Sequence, residues 1–160
     1  MLRIKSAEVL ADIRSAAWLE SHLHPELDRN RRHEMADICE NDNIGRVWRV
    51  LGIAVAEIRL ALQKIGTPEK DISLENELNS PGSWLFSFRF PLPSSSLTYM
   101  KEKIHEYLVA AVMADRCAVI IPSSAKIWQE RASGALACMQ NLASISHPPL
   151  CGVVRPLWPL

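Results

Sequence analysis

One segment of the sequence, residues 44–65, constrains the fold more than any other. Its large apolar residues recur in steps of three and four, at Ile44, Val47, Leu51, Val55, Ile58, Leu62 and Ile65. That spacing places them on one side of an α-helix. Asp42 or Asn43 is the expected N-cap, and Gly66 followed by Pro68 is typical of a helix C-terminus. We therefore predict a central core helix here, on which the rest of the chain packs.

Four further segments carry helical spacing or helix-end signals. The first helix is predicted over 6–23, with Ser6 as its N-cap and His24-Pro25 ending it. The second is predicted over 25–40 as a largely solvated helix. The fourth is predicted over 97–114, where Asp115-Arg116 ends it, and the fifth over 123–142, after serines that can cap it. The chain therefore contains about five helices.

The fifth helix carries an arginine within an otherwise apolar face. The residues near that face are Ile127, Arg131, Ala135, Met139 and Leu142. A partly buried guanidinium needs a carboxylate or several carbonyl groups as partners. Asp115 is the expected partner, because it lies at the predicted end of the preceding helix. We predict that Arg131 and Asp115 form a structural clamp, meaning a salt bridge that joins the fourth and fifth helices.

Between the third and fourth helices the apolar period changes from helical to alternating. Residues 84–91 alternate regularly, residues 72–79 do so imperfectly, and Ser-Pro-Gly-Ser between them predicts a turn. We expect a β-hairpin whose aromatic face packs on the helices or on another subunit, because a lone hairpin is only marginally stable. The candidate interface residues on that face are Trp84, Phe86, Phe88 and Phe90.

The end of the chain differs in character from the rest. Residues 147–160 are rich in proline, show no helical period, and carry Leu157 and Trp158 as large apolar anchors. We predict an α+β, mainly α fold: a single helical domain with an inserted hairpin over 1–146, and an extended tail over 147–160. Aromatic anchors of this kind contribute strongly to subunit contacts, so Leu157 and Trp158 are further candidate interface residues.

Charge and composition limit the class of partner. Lysine plus arginine equals aspartate plus glutamate, at 18 each, so the formal net charge is zero. We therefore do not expect binding to duplex DNA through bulk charge, whereas self-association is poorly opposed. No apolar stretch is long enough to span a membrane, and no secretory leader is recognisable. The four cysteines form no Cys-x-x-Cys pair, which favours reduced thiols in a cytoplasmic protein.

Histidines and carboxylates cluster around the second helix. His22, His24 and Glu26 precede it, while His33 and Asp37 stand four residues apart on it. These residue types can bind a metal ion. A His-x-His sequence in a loop, without thiols at zinc-finger spacing, favours a solvated helix junction instead. We predict no metal site and no cofactor.

The second helix also carries a basic run, from Arg29 to His33, that could contact phosphate groups. Carboxylates at neighbouring positions interleave with this run, which favours an ion-paired, solvated helix surface. Elsewhere, His105 and Glu106 are adjacent and therefore do not share a helix face. The sequence contains no nucleophile elbow, glycine-rich phosphate loop or His-Glu-x-x-His motif, so we predict no catalytic residue and no enzymatic activity.

Two helical stretches carry a family resemblance. The first is Ile53-Ala54-Val55-Ala56-Glu57-Ile58, and the second is KEKIHEYLVAAVMADR followed by a short loop and WQERASGALACMQNL. Together they resemble the small helical head–tail connector (neck) proteins of tailed bacteriophages and prophages, including a Mu-like family of unknown function. In that family a helix with a Tyr-Leu pattern precedes a helix with an Arg-Ala…Ala-Leu pattern. The matching residues are Tyr107-Leu108, Arg131-Ala132 and Ala135-Leu136.

This resemblance implies a ring-forming structural protein at the portal end of a capsid, with no catalysis. Its partners would be further copies of itself and other virion proteins. The residues point the same way, because a neutral helical chain with an aromatic hairpin and an apolar tail is suited to contact its neighbours. The alternative is an intracellular adaptor or regulatory protein that binds protein or nucleic acid through the basic second helix.

Overall fold

The computed structural model of the chain describes residues 2–63, 65, 82–88 and 92–145. Within these residues it contains five α-helices and one two-stranded antiparallel sheet, which confirms the predicted α+β, mainly α class. The elements are β1 (Leu2–Lys5), α1 (Ser6–Leu23), α2 (Arg29–Ala36), α3 (Asn41–Ala61), β2 (Ser83–Phe86), α4 (Ser94–Ile120) and α5 (Pro122–Ile145). The predicted tail, the residues 72–79 and Gly66 lie outside the described residues.

Helix α3 supplies the predicted core stripe. Leu51 and Ile58 are fully buried, and Leu62 and Ile65 remain buried just beyond the end of the helix. The expected cap at Asp42 or Asn43 is wrong, because the helix starts at Asn41 and Glu40 holds the N-cap position. The side chain of Asn43 is engaged elsewhere, since it donates to the carbonyl of Asp37 and accepts from Arg116 of α4.

Helix α4 continues past its predicted end at Asp115-Arg116 and reaches Ile120. The reason lies in Arg116, which is buried and bonds the carbonyl of Glu34 at 2.9 Å and the side-chain oxygen of Asn43 at 3.3 Å. Its guanidinium also lies 3.2 Å from the Glu34 carboxylate. With these partners a buried arginine is tolerated within the helix. Cys117 and Ile120 then extend the apolar stripe of α4.

Helix α5 returns antiparallel to α4 after the single connecting residue Ile121. Its inward face differs from the predicted one: Ala135 and Met139 are buried as expected, whereas Ile127 is exposed and Trp128 is buried. Burying an indole removes more apolar surface from water than burying an isoleucine side chain. Trp128 therefore takes the inward position, and Ile127 is turned outward.

The two N-terminal helices are bounded differently from expectation. Lys5, not Ser6, holds the N-cap position of α1, and Ser6 is buried as the first helical residue. Helix α2 is much shorter than predicted, because Asp28 caps it by accepting a hydrogen bond from the N–H of Arg31 at 2.8 Å. Residues 25–27 ahead of Asp28 form a turn, in which Leu27 donates to the carbonyl of His24.

The partner predicted for strand β2, residues 72–79, lies outside the described residues. Strand β2 has another partner within them. It pairs antiparallel with β1, so that Leu2 lies opposite Phe86 and Ile4 lies opposite Trp84. The predicted alternation is confirmed, since Trp84 and Phe86 are each only 5% exposed while Leu85 between them is half-buried. The apolar faces of both strands therefore form part of the core of this chain.

Trp84 and Phe86 are therefore not available as the surface contacts that we expected. They lie in the same core cluster as the buried residues of α1, α3 and α4, and the ring of Trp84 lies 6.3 Å from that of Trp48 on α3. Phe88 is half-buried and packs against this cluster, and Phe90 lies outside the described residues. The aromatic face joins the sheet to the helices of its own chain.

Two further expectations concern the oxidation state of the cysteines and the lack of a membrane-spanning segment. The three cysteines within the described residues, Cys39, Cys117 and Cys138, are free thiols, and Cys151 lies outside those residues. Among the described helices, none combines the length and the apolar character that crossing a bilayer requires.

Replacement of Trp84 by alanine should reduce the free energy of unfolding by about 3–5 kcal/mol, because it leaves a large cavity between the sheet and α3. Leu85→Ala is the matched control, since Leu85 lies on the other face of the same strand and should cost much less. Denaturant unfolding measures both variants. A loss below about 1 kcal/mol for Trp84→Ala would contradict a core position for the indole.

Candidate functional site

A groove of about 870 Å³ lies between α1, α4 and α5. We call it the interhelical groove. Its apolar residues come from all three helices, and charged residues surround them, so that the exposed surface of the groove is mostly apolar. The apolar residues are Ala16, Leu19, Leu23, Val109 and Trp128, and the polar ones are Asp12, Glu20, Thr98, Lys101, Glu102, His105, Glu106 and Arg131.

Two leucines of α1 give the groove its apolar character. Leu19 is 53% exposed and Leu23 is 70% exposed, although each is a large aliphatic side chain in a regular helix. They lie four residues apart, on a different side of α1 from the buried stripe of Val9, Ile13 and Ala17. A contiguous exposed apolar surface bordered by polar groups is typical of a binding site. This second stripe is visible in the sequence, and our sequence analysis missed it.

An Asp–His pair lies at one edge of the groove. The Nε2 atom of His105 lies 2.7 Å from the Oδ2 atom of Asp12, which joins α4 to α1. A carboxylate-bound imidazole can act as a general acid or base. Among the described residues that line the groove, however, the only hydroxyl belongs to Thr98, which donates to the carbonyl of Ser94 at 3.1 Å. The pair therefore has no adjacent nucleophile to activate within that set.

The predicted clamp is wrong in its partners. Asp115 pairs with Arg46 of α3 through two hydrogen bonds of 2.8 and 3.1 Å. Arg131 is half-exposed at the groove, 4.0 Å from the Glu106 carboxylate and 4.7 Å above the ring of Trp128. The cause is the register of the two antiparallel helices, which places Arg131 beside Glu106 and leaves Asp115 facing α3. Helices α4 and α5 are thus linked by Arg131–Glu106, an exposed pair of modest strength.

The carboxylate of Glu20 forms the base of the groove at the junction of α1 and α5. It accepts hydrogen bonds from Nε1 of Trp128 at 2.8 Å and from Oγ of Ser124 at 2.9 Å. The Nε2 atom of His24 lies 2.8 Å from the same Ser124 oxygen and 3.4 Å from Glu20. We call these four residues the Glu20 network. It satisfies a largely buried carboxylate and ties the end of α1 to the start of α5.

His24 also lies 2.6 Å from Glu26 through its Nδ1 atom, so Ser124, His24 and Glu26 occur in the order of a catalytic triad. The arrangement does not support that chemistry. Ser124 is buried, and its proton goes to Glu20, because a carboxylate can only accept. Hydrogen bonds from its own backbone N–H and from His24 lower the pKa of Glu26.

The other residues considered for metal binding or catalysis are separated by the fold. The Nδ1 atom of His22 lies 2.8 Å from the carbonyl of Trp18, and His33 lies beside Arg29. Within the described ranges, no three histidine, cysteine, aspartate or glutamate residues are placed to hold a metal ion together. Burial raises the pKa of the Cys117 thiol to about 12, so this thiol is a poor nucleophile at neutral pH.

Comparison of the chain with family models, with curated proteins and with solved structures gives no match. The resemblance to head–tail connector proteins therefore stays a prediction based on the residues quoted above.

Replacement of Glu20 by alanine should lower the free energy of unfolding by about 1–3 kcal/mol, because it leaves the N–H of Trp128 and the hydroxyl of Ser124 without an acceptor. Asp12→Ala is the matched control, because it removes another carboxylate of α1 that also pairs with a histidine. Since Asp12 is well exposed, its loss should cost no more than about 1 kcal/mol. Equal losses for the two variants would contradict the role given to the Glu20 network.

Proposed function

We propose that this chain is a non-catalytic assembly protein that acts by oligomerisation, and that the interhelical groove receives the C-terminal residues 147–160 of a second copy. The observation that carries the proposal is the open, mostly apolar groove in which Leu19 and Leu23 are exposed. Contact with an apolar segment would remove both side chains from water. That burial is the main favourable term in most protein association.

The position of the end of α5 supports this occupant. Helix α5 runs antiparallel to α4 with Arg131 beside Glu106, so Ile145 lies toward the N-terminal end of α4. The groove begins at the same end, with Thr98. The segment after Ile145 has fifteen residues, which could reach up to about 50 Å if extended.

The composition of residues 147–160 also fits an apolar groove. Leu157 and Trp158 provide large apolar side chains, and the prolines reduce the conformational entropy that ordering the segment costs. Arg155 carries a charge opposite to that of Glu102, one of the carboxylates at the groove. A chain with zero net charge offers little electrostatic opposition to contact between copies.

A contact between the tail of one copy and the groove of the next is heterologous, and such contacts close into rings when the rotation between subunits permits. The head–tail connector of a tailed phage or prophage is the assembly of this type that the two helical stretches resemble. In that setting the partners are other copies and further virion proteins. Genes for portal, capsid or tail proteins next to the coding gene would support the setting, and neighbours of unrelated function would count against it.

Light scattering across a range of concentrations tests the groove and the tail together. We expect the full chain to have a mass above that of a monomer, increasing with concentration. The double variant Leu19→Gln/Leu23→Gln and a chain that ends at residue 146 should both stay monomeric, because each lacks one half of the contact. Leu60→Gln is the matched control, since it removes an exposed leucine of α3 that does not line the groove.

Two results would contradict the proposal. A full chain that is monomeric at every concentration would show that residues 147–160 do not bind the groove of a second copy. A shortened chain that still oligomerises would show that residues 147–160 are not the occupant. Thermal melting of each variant confirms that the fold is intact, so that loss of assembly can be assigned to the contact.

A further inference from the structure

A pocket of about 660 Å³ lies between α1 and α2, on the side of α1 opposite the interhelical groove. The residues that matter here are Trp18 and His22 from α1, and Arg29, Arg32 and His33 from α2. Its volume falls within the range of about 300–1,000 Å³ that is typical of small-molecule sites. It shares no residue with the groove or with the Glu20 network.

The charge of this pocket has one sign. Two guanidinium groups and two imidazoles line it, and no carboxylate belongs to the described residues that do so. Three of the carboxylates that interleave with the basic run along the chain have partners elsewhere, and the fourth, Asp37, does not line the pocket. Asp28 caps α2 and faces Arg31, Glu26 bonds His24, and Glu34 pairs with Arg116. Glu40 lines an adjacent recess that shares Trp18 and Ala36 with the pocket, and Glu26 attracts Arg32 from outside the lining. Helix α2 carries ion pairs, as expected from the sequence, but the described residues that line the pocket include no carboxylate.

An exposed indole accompanies these cations. Trp18 is 54% exposed and lies against the ring of His22, with 4.1 Å between the ring centroids and a tilt of 32°. The contact fixes the orientation of both rings, and Trp18 also borders the adjacent recess. An exposed aromatic platform beside arginine side chains is the combination that binds a nucleobase by stacking and its phosphate by charge. Arg29 and Arg32 lie three residues apart on the same face of α2. One guanidinium nitrogen of Arg32 donates to the carbonyl of Pro25, which leaves its other N–H groups for a phosphate.

We propose that this pocket binds a nucleoside phosphate, with the base on Trp18 and the phosphate at Arg29, Arg32 and His33. The ligand can be a free nucleotide or one nucleotide of a single-stranded nucleic acid, since both present the same base and phosphate. This site is independent of the tail-binding groove, and each can exist without the other.

Calorimetric titration of the full chain with adenosine monophosphate, adenosine, inorganic phosphate and oligothymidylate tests the site. Adenosine monophosphate should bind at least about tenfold more tightly than adenosine or phosphate alone, because only it uses both halves of the pocket. Oligothymidylate that binds more tightly still, with an affinity that falls steeply with salt, assigns the site to a nucleic-acid strand. Oligothymidylate that binds no better than the mononucleotide assigns it to a free nucleotide.

Matched variants separate this site from general charge. Arg29→Gln and Trp18→Ala should each weaken binding by about tenfold, because one removes a charged donor and the other removes the stacking surface. Arg31→Gln is the control, because Arg31 lies on the same helix, faces Asp28 and does not line the pocket. Arg29 has only a 3.5 Å contact with His33, so the loss of its side chain should not affect folding, which melting temperatures verify.

Three results would overturn the assignment. They are an absence of binding for all four probes at millimolar concentration, binding of phosphate as tight as that of adenosine monophosphate, and an equal loss for Arg31→Gln and Arg29→Gln. None of them bears on the mass of the chain in solution, so this inference and the assembly proposal fail separately.

Discussion

The hydrogen bonds of Glu20 tie α1 to α5, and α1 is a wall of both the interhelical groove and the pocket between α1 and α2. A carboxylate in a largely buried position is costly unless donors surround it, and here Trp128 and Ser124 donate to it while His24 lies 3.4 Å away. Since Trp128 and Ser124 belong to α5, this network joins the first helix to the last. The interhelical groove lies on one side of α1, and the pocket between α1 and α2 lies on the other.

A helix that is buried along one stripe can still present two further surfaces. The buried stripe of α1 contains Val9, Ile13 and Ala17, while Leu19 and Leu23 face the groove and Trp18 and His22 face α2. Exposed leucine and tryptophan side chains favour aggregation of an isolated chain, so their retention at two separate concavities is consistent with two binding roles. In the pocket between α1 and α2, the Ser21 hydroxyl lies 3.0 Å from Nδ1 of His22, but it is buried and donates its proton to the carbonyl of Trp18 at 2.7 Å. Binding and assembly are therefore the functions that we propose.

Elements with a local signal were predictable from the sequence. The stripe of α3 and the alternation of Trp84 and Phe86 depend only on periodicity, and both are confirmed. Partners far apart along the chain gave no such signal. The bonds Trp128–Glu20 and Arg46–Asp115 join residues 108 and 69 positions apart, and β1 pairs with a strand more than half the chain away from it. The prediction of an Arg131–Asp115 clamp was wrong because the true partner of Asp115, Arg46, lies far away along the chain. Helix α4 also extends to Ile120, beyond its predicted end, which changes the residues that face each other.

The most direct measurement of the central claim, that α1 carries two independent binding surfaces, is amide chemical-shift mapping of one labelled sample of residues 1–146. The sample is titrated first with a synthetic peptide of residues 147–160 and then with adenosine monophosphate. The account predicts two separate sets of shifted amides, one around Leu19, Val109 and Arg131, and the other around His22, Arg29 and Arg32. A single shared set, or no shifted amides with either ligand, would contradict it.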